Sequence, residues 1–214
     1  VTSAATILYL HGFRSSPLSM KGRLLSQRMT ALGRAQDFIA PQLPASPRQA
    51  MAEVLALLER PSSCHGAWHH VTRAQPDAVL ASELTIIGSS LGGYYATWLA
   101  EKLGCRAVLL NPAVTPLVDL EKYVGVTTMF HSDEPFDFRR EYIGELRDLA
   151  VPAITRPDRY FLVAATGDEV LDWRAMVAHY PGARQHVIDG SDHGISEFAQ
   201  YVDDVLDFAG VRAG

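Results

Sequence analysis

The chain has 214 residues, 48% hydrophobic and 20% charged, the balance of a soluble globular protein long enough to bury a core. Its formal net charge of −5 gives it no electrostatic reason to seek nucleic acid or an anionic membrane. No apolar stretch approaches the ~20 residues that span a bilayer, and residues 1–10 lack the basic segment, long apolar run and cleavage site of a secretory signal, so the expected setting is the cytoplasm.

Thr6, Ile7, Leu8, Tyr9 and Leu10 read as a short buried strand stopped by His11 and Gly12. Ser16 or Ser19 caps a helix running to about Leu32, with Gly33 as its stop. Residues 37–40 form a second strand before Pro41. Pro47 then fits the first turn of a helix carrying Met51, Val54, Leu55 and Leu58 on one face. Residues 84–88 are a third strand, apolar on both faces, and a helix follows from about Leu91 to Leu103. Residues 107–110, 160–165 and 184–188 supply three more strands, and an amphipathic helix from about Ser196 to Phe208 closes the chain. This alternation predicts an α/β fold of about six mostly parallel strands in spatial order 2-1-3-4-5-6, with helices on both faces.

Two stretches interrupt the rhythm. Residues 61–82 are rich in Ser, His and Pro and read as an irregular insertion. Residues 112–157 are long, partly helical and aromatic (Tyr123, Phe130, Phe136, Phe138, Tyr142), which fits a small cap over a site or an excursion over one sheet edge. No repeat or domain boundary is visible, so 1–214 reads as a single domain. Cys64 and Cys105 lack metal-site spacing. The apolar surroundings of Cys105 favour a buried thiol over a disulfide.

The chemistry centres on Gly88-Ser89-Ser90-Leu91-Gly92, a G-x-S-x-G sequence. A chain of this length shows one by chance at roughly 0.07, so the motif alone says little. Its context says more: it directly follows an apolar strand and opens an amphipathic helix, the setting of a nucleophile elbow. A strand that turns into a helix this sharply strains the central residue and leaves no room for side chains two positions either side. A serine that merely caps the helix would not need Gly88 and Gly92.

A serine hydroxyl needs a base to take its proton. His193 lies between the sixth strand and the last helix, on the edge of the sheet that carries Ser90. His65, His69 and His70 fall in the insertion, His131 in the expected cap, His179 at a helix end and His186 within a strand. The carboxylate that orients the base should follow the fifth strand, where Asp168 stands. Asp172 reads instead as a helix N-cap, Glu169 as pointing away from Asp168 in a tight turn, and Asp192 as too near His193 to fold back on its ring. Acyl transfer also needs fixed donors for the developing oxyanion. The backbone N–H groups of Leu91, after the nucleophile, and of Phe13, in the loop after the first strand, are the candidates.

These residues carry a resemblance. The run Leu8-Tyr9-Leu10-His11-Gly12-Phe13 with Ser15-Ser16-Pro17, the tetrapeptide Pro41-Gln42-Leu43-Pro44, and residues 88–99 resemble the small YqiA-type bacterial esterases. So do Asn111-Pro112-Ala113 and residues 166–172. The resemblance covers nearly the whole chain. It implies a trimmed α/β-hydrolase fold, a triad on Ser90, Asp168 and His193, and hydrolysis of short acyl esters or of acyl-CoA thioesters. Residues 61–82 are longer than the family's usual link, and Ser191-Asp192-His193-Gly194 replaces a version richer in Gly and Asn. The expected reaction cleaves a small ester or thioester through an acyl-Ser90 intermediate, with no cofactor, no metal, no nucleic acid and no membrane. C–C-bond hydrolysis or perhydrolysis on the same three residues is the enzymatic alternative. A non-catalytic ligand-binding protein is the alternative from another class.

Overall fold

Continuous apolar runs pair in parallel when helices cover both sheet faces, and the strands do so here. The structure, a computed structural model, describes residues 5–59, 78–130 and 133–211. In chain order the elements are β1 (Thr6–Leu10), α1 (Met20–Ala31), β2 (Phe38–Ile39), α2 (Pro47–Glu59), α3 (Ala78–Glu83), β3 (Leu84–Ser89), α4 (Leu91–Leu103) and β4 (Arg106–Leu110). They continue with α5 (Pro116–Glu121), β5 (Gly125–Thr128), β6 (Pro135–Phe138), α6 (Glu141–Asp148), β7 (Tyr160–Ala165), α7 (Trp173–His179), β8 (Arg184–Ile188) and α8 (Val202–Phe208). Six strands form one sheet in the order β2-β1-β3-β4-β7-β8, and every pairing in it is parallel. Among the described residues, β5 and β6 pair only with each other, antiparallel.

Strand alternation sorts the core into two layers. Leu8, Leu10, Ile86, Leu109 and Leu162 face one side, where Met51, Val54 and Leu58 of α2, Leu99 of α4 and Met176 of α7 cover them. Ile7, Tyr9, Ile87, Val108 and Phe161 face the other, against Leu25 and Met29 of α1 and Val205 and Leu206 of α8. Because β3 and β7 are buried along their whole length, their sequences carry no polar alternation.

Local chemistry sets the helix ends. Ser19, not Ser16, caps α1 by accepting from Gly22 N, and Gly33 follows the helix with a left-handed φ of 69°. The closing helix is shorter than its amphipathic pattern suggests. Asp192 accepts from both the backbone N–H and the hydroxyl of Ser196, and Ile195 sits at φ 50°. Residues 198–200 therefore form a tight 3₁₀ turn, and α8 starts only at Val202.

The expected irregular insertion, 61–82, falls largely outside the described residues, and its end, 78–82, belongs to helix α3. Cys64 also lies outside them. Cys105 is a free buried thiol, and burial pushes its pKa up to about 12. The segment 112–157 contains α5, the β5–β6 hairpin and α6. Its last helix is tied down: Tyr94 OH donates to the Leu146 carbonyl at 2.7 Å, and Glu145 accepts from Ser46 Oγ at 2.6 Å and from Arg48 N at 3.1 Å. Among the described residues, no helix is long and apolar enough to cross a membrane.

Candidate active site

Ser90 stands between β3 and α4 at φ 55° and ψ −121°, a conformation a non-glycine residue adopts only when its surroundings enforce it. The glycines on either side show how they do. A Cβ on Gly88 would lie 2.2 Å from the Gly92 carbonyl oxygen, and one on Gly92 would lie 2.1 Å from the Leu10 carbonyl oxygen of β1. Only hydrogen fits at both positions, so the turn closes tightly and lifts the Ser90 side chain off the sheet edge. Hydrogen bonds fix the strained backbone. Ser90 N donates to the Leu110 carbonyl at 3.0 Å, and Ser90 O accepts from Gly93 N at 2.9 Å and Ala113 N at 3.0 Å.

His193 reaches this serine from the loop after β8, with Nε2 3.0 Å from Ser90 Oγ. Its Nδ1 lies 2.8 Å from Asp168 Oδ2, in the loop after β7. The Asp168 side chain is 0% exposed, and its other oxygen accepts from the backbone N–H groups of Val170 and Leu171, each at 2.8 Å. With Asp168 accepting, Nδ1 carries the proton and Nε2 is left to accept from the serine hydroxyl. Asp172 does cap α7, accepting from Arg174 N at 2.9 Å, as its sequence position suggests. The structure thus brings Ser90, His193 and Asp168 into one hydrogen-bonded line and leaves Asp172 out of it.

The two backbone N–H groups expected to receive the oxyanion belong to Leu91 and Phe13. Leu91 N opens α4, and neither it nor Phe13 N has a hydrogen-bond acceptor among the described residues. Gly12 passes so close that a Cβ there would lie 3.2 Å from Ser90 Cβ and 3.7 Å from Ser90 Oγ. The Gly12–Phe13 peptide is oriented from behind. Its carbonyl accepts from His11 Nδ1 at 2.9 Å and from Ser15 N at 3.2 Å. In a trans peptide the Phe13 N–H points the opposite way from that carbonyl.

His11 itself is buried. Its Nε2 accepts from Leu43 N at 3.0 Å, and burial holds its pKa below the ordinary histidine range, keeping the ring neutral as this double role requires. The Phe13 side chain turns outward onto the hairpin, edge-on to Phe136 and Phe138 with centroids 5.1 and 5.0 Å away, and touches Tyr123 at 5.6 Å.

Sequence reasoning missed three residues. The sequence places His11 in the loop that offers the Phe13 N–H but assigns its ring no role, and its link to Leu43 has no local signal beyond the Pro41-Gln42-Leu43-Pro44 run. Glu169, which the sequence only sets pointing away from Asp168, accepts at its Oε2 from the His193 backbone N–H at 3.0 Å. Asn111, fully buried, donates from Nδ2 to the carbonyls of Asp192 and His193 at 3.0 and 3.1 Å.

A comparison with known families matches residues 6–210 to the Uncharacterised protein family UPF0227, the YqiA family. The chain belongs to this family. Solved structures extend the likeness of fold to more distant proteins. Mouse alpha/beta hydrolase domain-containing protein 10 is 18% identical with a TM-score of 0.61, over 94% of this chain and 89% of that one. Est1E from Butyrivibrio proteoclasticus, solved with ferulic acid bound, is 12% identical with a TM-score of 0.64, over 98% and 91%. Tomato methylketone synthase I, solved with 2-tridecanone, is 13% identical with a TM-score of 0.65, over 98% and 99%. The family member described here therefore has the α/β-hydrolase fold, with its six-stranded parallel sheet and helices on both faces.

Proposed function

We propose that this protein is a serine hydrolase that cleaves small carboxylic esters or acyl thioesters through an acyl-Ser90 intermediate. The observation that carries this reading is the line from Ser90 Oγ to His193 Nε2 at 3.0 Å and from His193 Nδ1 to Asp168 at 2.8 Å, built on a strained elbow. A serine that only capped a helix would need neither partner.

In this reading, His193 Nε2 takes the hydroxyl proton as Ser90 Oγ bonds to the substrate carbonyl carbon. The carbonyl electron pair moves onto its oxygen, which the N–H groups of Leu91 and Phe13 receive, each such donor contributing about 3 kcal/mol. Asp168 holds the ring and stabilises the imidazolium without taking the proton. Collapse expels the alcohol or thiol, which leaves with the proton from His193. Water, deprotonated by the same nitrogen, then attacks the acyl-serine, and collapse releases the acid and restores Ser90.

The chain acts as one domain, and residues 112–157 serve as a cap over the acyl pocket. Phe13, Tyr123, Phe136 and Phe138 pack together beside the oxyanion loop, filling space a long acyl chain would need. Each further CH₂ contributes ~0.8 kcal/mol only if it is buried, so acyl groups of about two to six carbons should be the best simple-ester substrates.

The test is a fluorophosphonate labelling of the intact chain, with the modified residue located by peptide mass, alongside p-nitrophenyl esters and acyl-CoAs of two to sixteen carbons. Labelling at Ser90 and a maximum of kcat/KM at short acyl length are expected. An unlabelled protein that hydrolyses nothing would make it a ligand-binding protein instead, and a steady rise to the longest chain would replace the shallow pocket with a tunnel.

A further inference from the structure

The side chain of His193 is held by Ser90 and Asp168, but its backbone is also held, at both ends. Its N–H donates to Glu169 Oε2 at 3.0 Å, and its carbonyl accepts from Asn111 Nδ2 at 3.1 Å. Asp168 and Glu169 are thus consecutive carboxylates with divided tasks, one on the imidazole and the other on the main chain of the same residue.

Asn111 does more than close one bond. It is 0% exposed and stands at φ 43° just past β4. Its Oδ1 accepts from Ala165 N at 2.8 Å, at the end of β7, and its own N–H donates to the Val163 carbonyl at 2.9 Å. Its Nδ2 holds the carbonyls of both Asp192 and His193. One amide therefore joins the ends of β4 and β7 to the loop after β8. The flanking residues grip the other loop: the Leu110 carbonyl accepts from Ser90 N, and Ala113 N donates to the Ser90 carbonyl, both at 3.0 Å. Residues 110–113 are the common mount for the two loops whose side chains meet between Ser90 and His193.

The mount has strain to resist. Ser191 at φ 62° and Ile195 at φ 50° lie on either side of His193, conformations that side-chain-bearing residues leave when their restraints are removed. A relaxation of about 1 Å would stretch a 3.0 Å hydrogen bond out of range, which typically costs about a hundredfold in rate. We propose that Asn111 and Glu169 are positioning residues, which fix the backbone of His193 so that Nε2 stays within reach of Ser90 Oγ. This rests on the reading of Ser90 as nucleophile.

The test uses the full chain with Glu169→Ala, Glu169→Gln, Asn111→Ala and Asn111→Asp. Three readouts are compared: kcat and KM on a p-nitrophenyl ester, the rate constant of fluorophosphonate labelling, and Tm. Glu169→Ala should lower kcat and the labelling rate by the same factor, about tenfold, with KM unchanged. Glu169→Gln should restore both, because its amide oxygen accepts the same bond. Asn111→Asp keeps an acceptor for Ala165 N but sets a carboxylate oxygen against two carbonyls, so both rates should fall about a hundredfold.

Glu169 is exposed, so its substitutions open no cavity in the core. If the Asn111 variants do not fold, the Glu169 pair decides. A Glu169→Ala protein with a lowered Tm but wild-type kcat and labelling rate would assign these residues a merely structural role and overturn the proposal alone. So would failure of Glu169→Gln to rescue. A wild-type chain that is neither labelled nor active would remove the proposal together with the reading of Ser90.

Discussion

The two ends of the sheet differ in how their backbone is spent. Among the described residues, the non-glycine positions with left-handed φ are Arg14, Ser90, Asn111, Ser191 and Ile195. All of them follow the carboxyl ends of strands: β1, β3, β4 and, for the last two, β8. The described amino ends carry none. Strain of this kind costs on the order of 1–3 kcal/mol per residue and persists only where neighbours over-determine it. The regular, apolar strand interiors supply that over-determination, since their paired ladders cannot yield to relieve a turn. The lesson is a division of labour: the strands provide rigidity, and the carboxyl edge uses it to hold side chains where they would not settle by themselves.

The sharpest way to break this contrast is at Ser90. Ser90→Ala should abolish ester hydrolysis, by about 10⁶ in kcat as for loss of a triad nucleophile, with an unchanged circular dichroism spectrum. Ser89→Ala, one residue back in β3, should keep its activity. The reverse outcome would move the elbow. Next in size is Asp168→Asn, expected to lower kcat on the order of 10⁴ by leaving the imidazole in the wrong tautomer. Asp172→Asn sits on a helix cap only four residues on and should change Tm modestly and kcat hardly at all. A stable, inactive Asp172 variant would transfer the acid role.

The contrast can be sharpened through stability as well. Gly92→Ala would drive a methyl group into the backbone of β1, so a large loss of Tm or of soluble protein is expected, whereas Gly144→Ala in α6 meets nothing within 4 Å and should be neutral or slightly stabilising. A further effect on stability, one that depends on pH, concerns Lys21. It is 7% exposed, and burial pulls its pKa down to about 8, outweighing the attraction of Asp192 and Asp168. The unfolded chain binds this proton more tightly, so burying the charge costs stability below about pH 8, and the cost fades as pH rises toward the unfolded value near 10.5. Lys21→Met should therefore stabilise the protein at pH 7, by up to about 3 kcal/mol, with the gain vanishing by about pH 10.5. Urea unfolding of both proteins at pH 7, 9 and 10.5 measures it; a constant difference across that range would assign the effect to packing.

How much of this could be read in the residues follows from the range of the forces involved. The strands were legible because burial on both faces leaves short apolar runs, and the elbow because its two glycines stand at a fixed spacing around Ser90, although only Gly88 answers to a near neighbour, Gly92, while Gly92 answers to Leu10 of β1. Asp168 could be separated from Asp172 by position alone, one at a strand end and one at a helix start. The α8 boundary was misplaced because amphipathic spacing registers which residues are apolar, and not that Ile195 has turned left-handed. Asn111 and Glu169 escaped for a different reason. Each acts by a side-chain bond to the main chain of a residue far along the sequence, 82 and 24 positions away, and main-chain partners leave no trace in residue type. Residues 60–77 lie outside the described residues, so the reading of an irregular stretch there stands as an expectation.

The short second strand has a consequence for the company the molecule keeps. A sheet edge is a template for other chains, and long, flat, apolar edges seed aggregates. β2 closes one side of the sheet with a two-residue ladder to β1, and Pro41, soon after it, has no N–H to extend that ladder. At the other side, β8 carries Arg184, whose guanidinium lies over the Phe161 ring at 4.2 Å, and His186, whose ring stands against Tyr201 at 5.1 Å. An incoming strand would find at one margin too little backbone to grip, and at the other a charged and partly screened one.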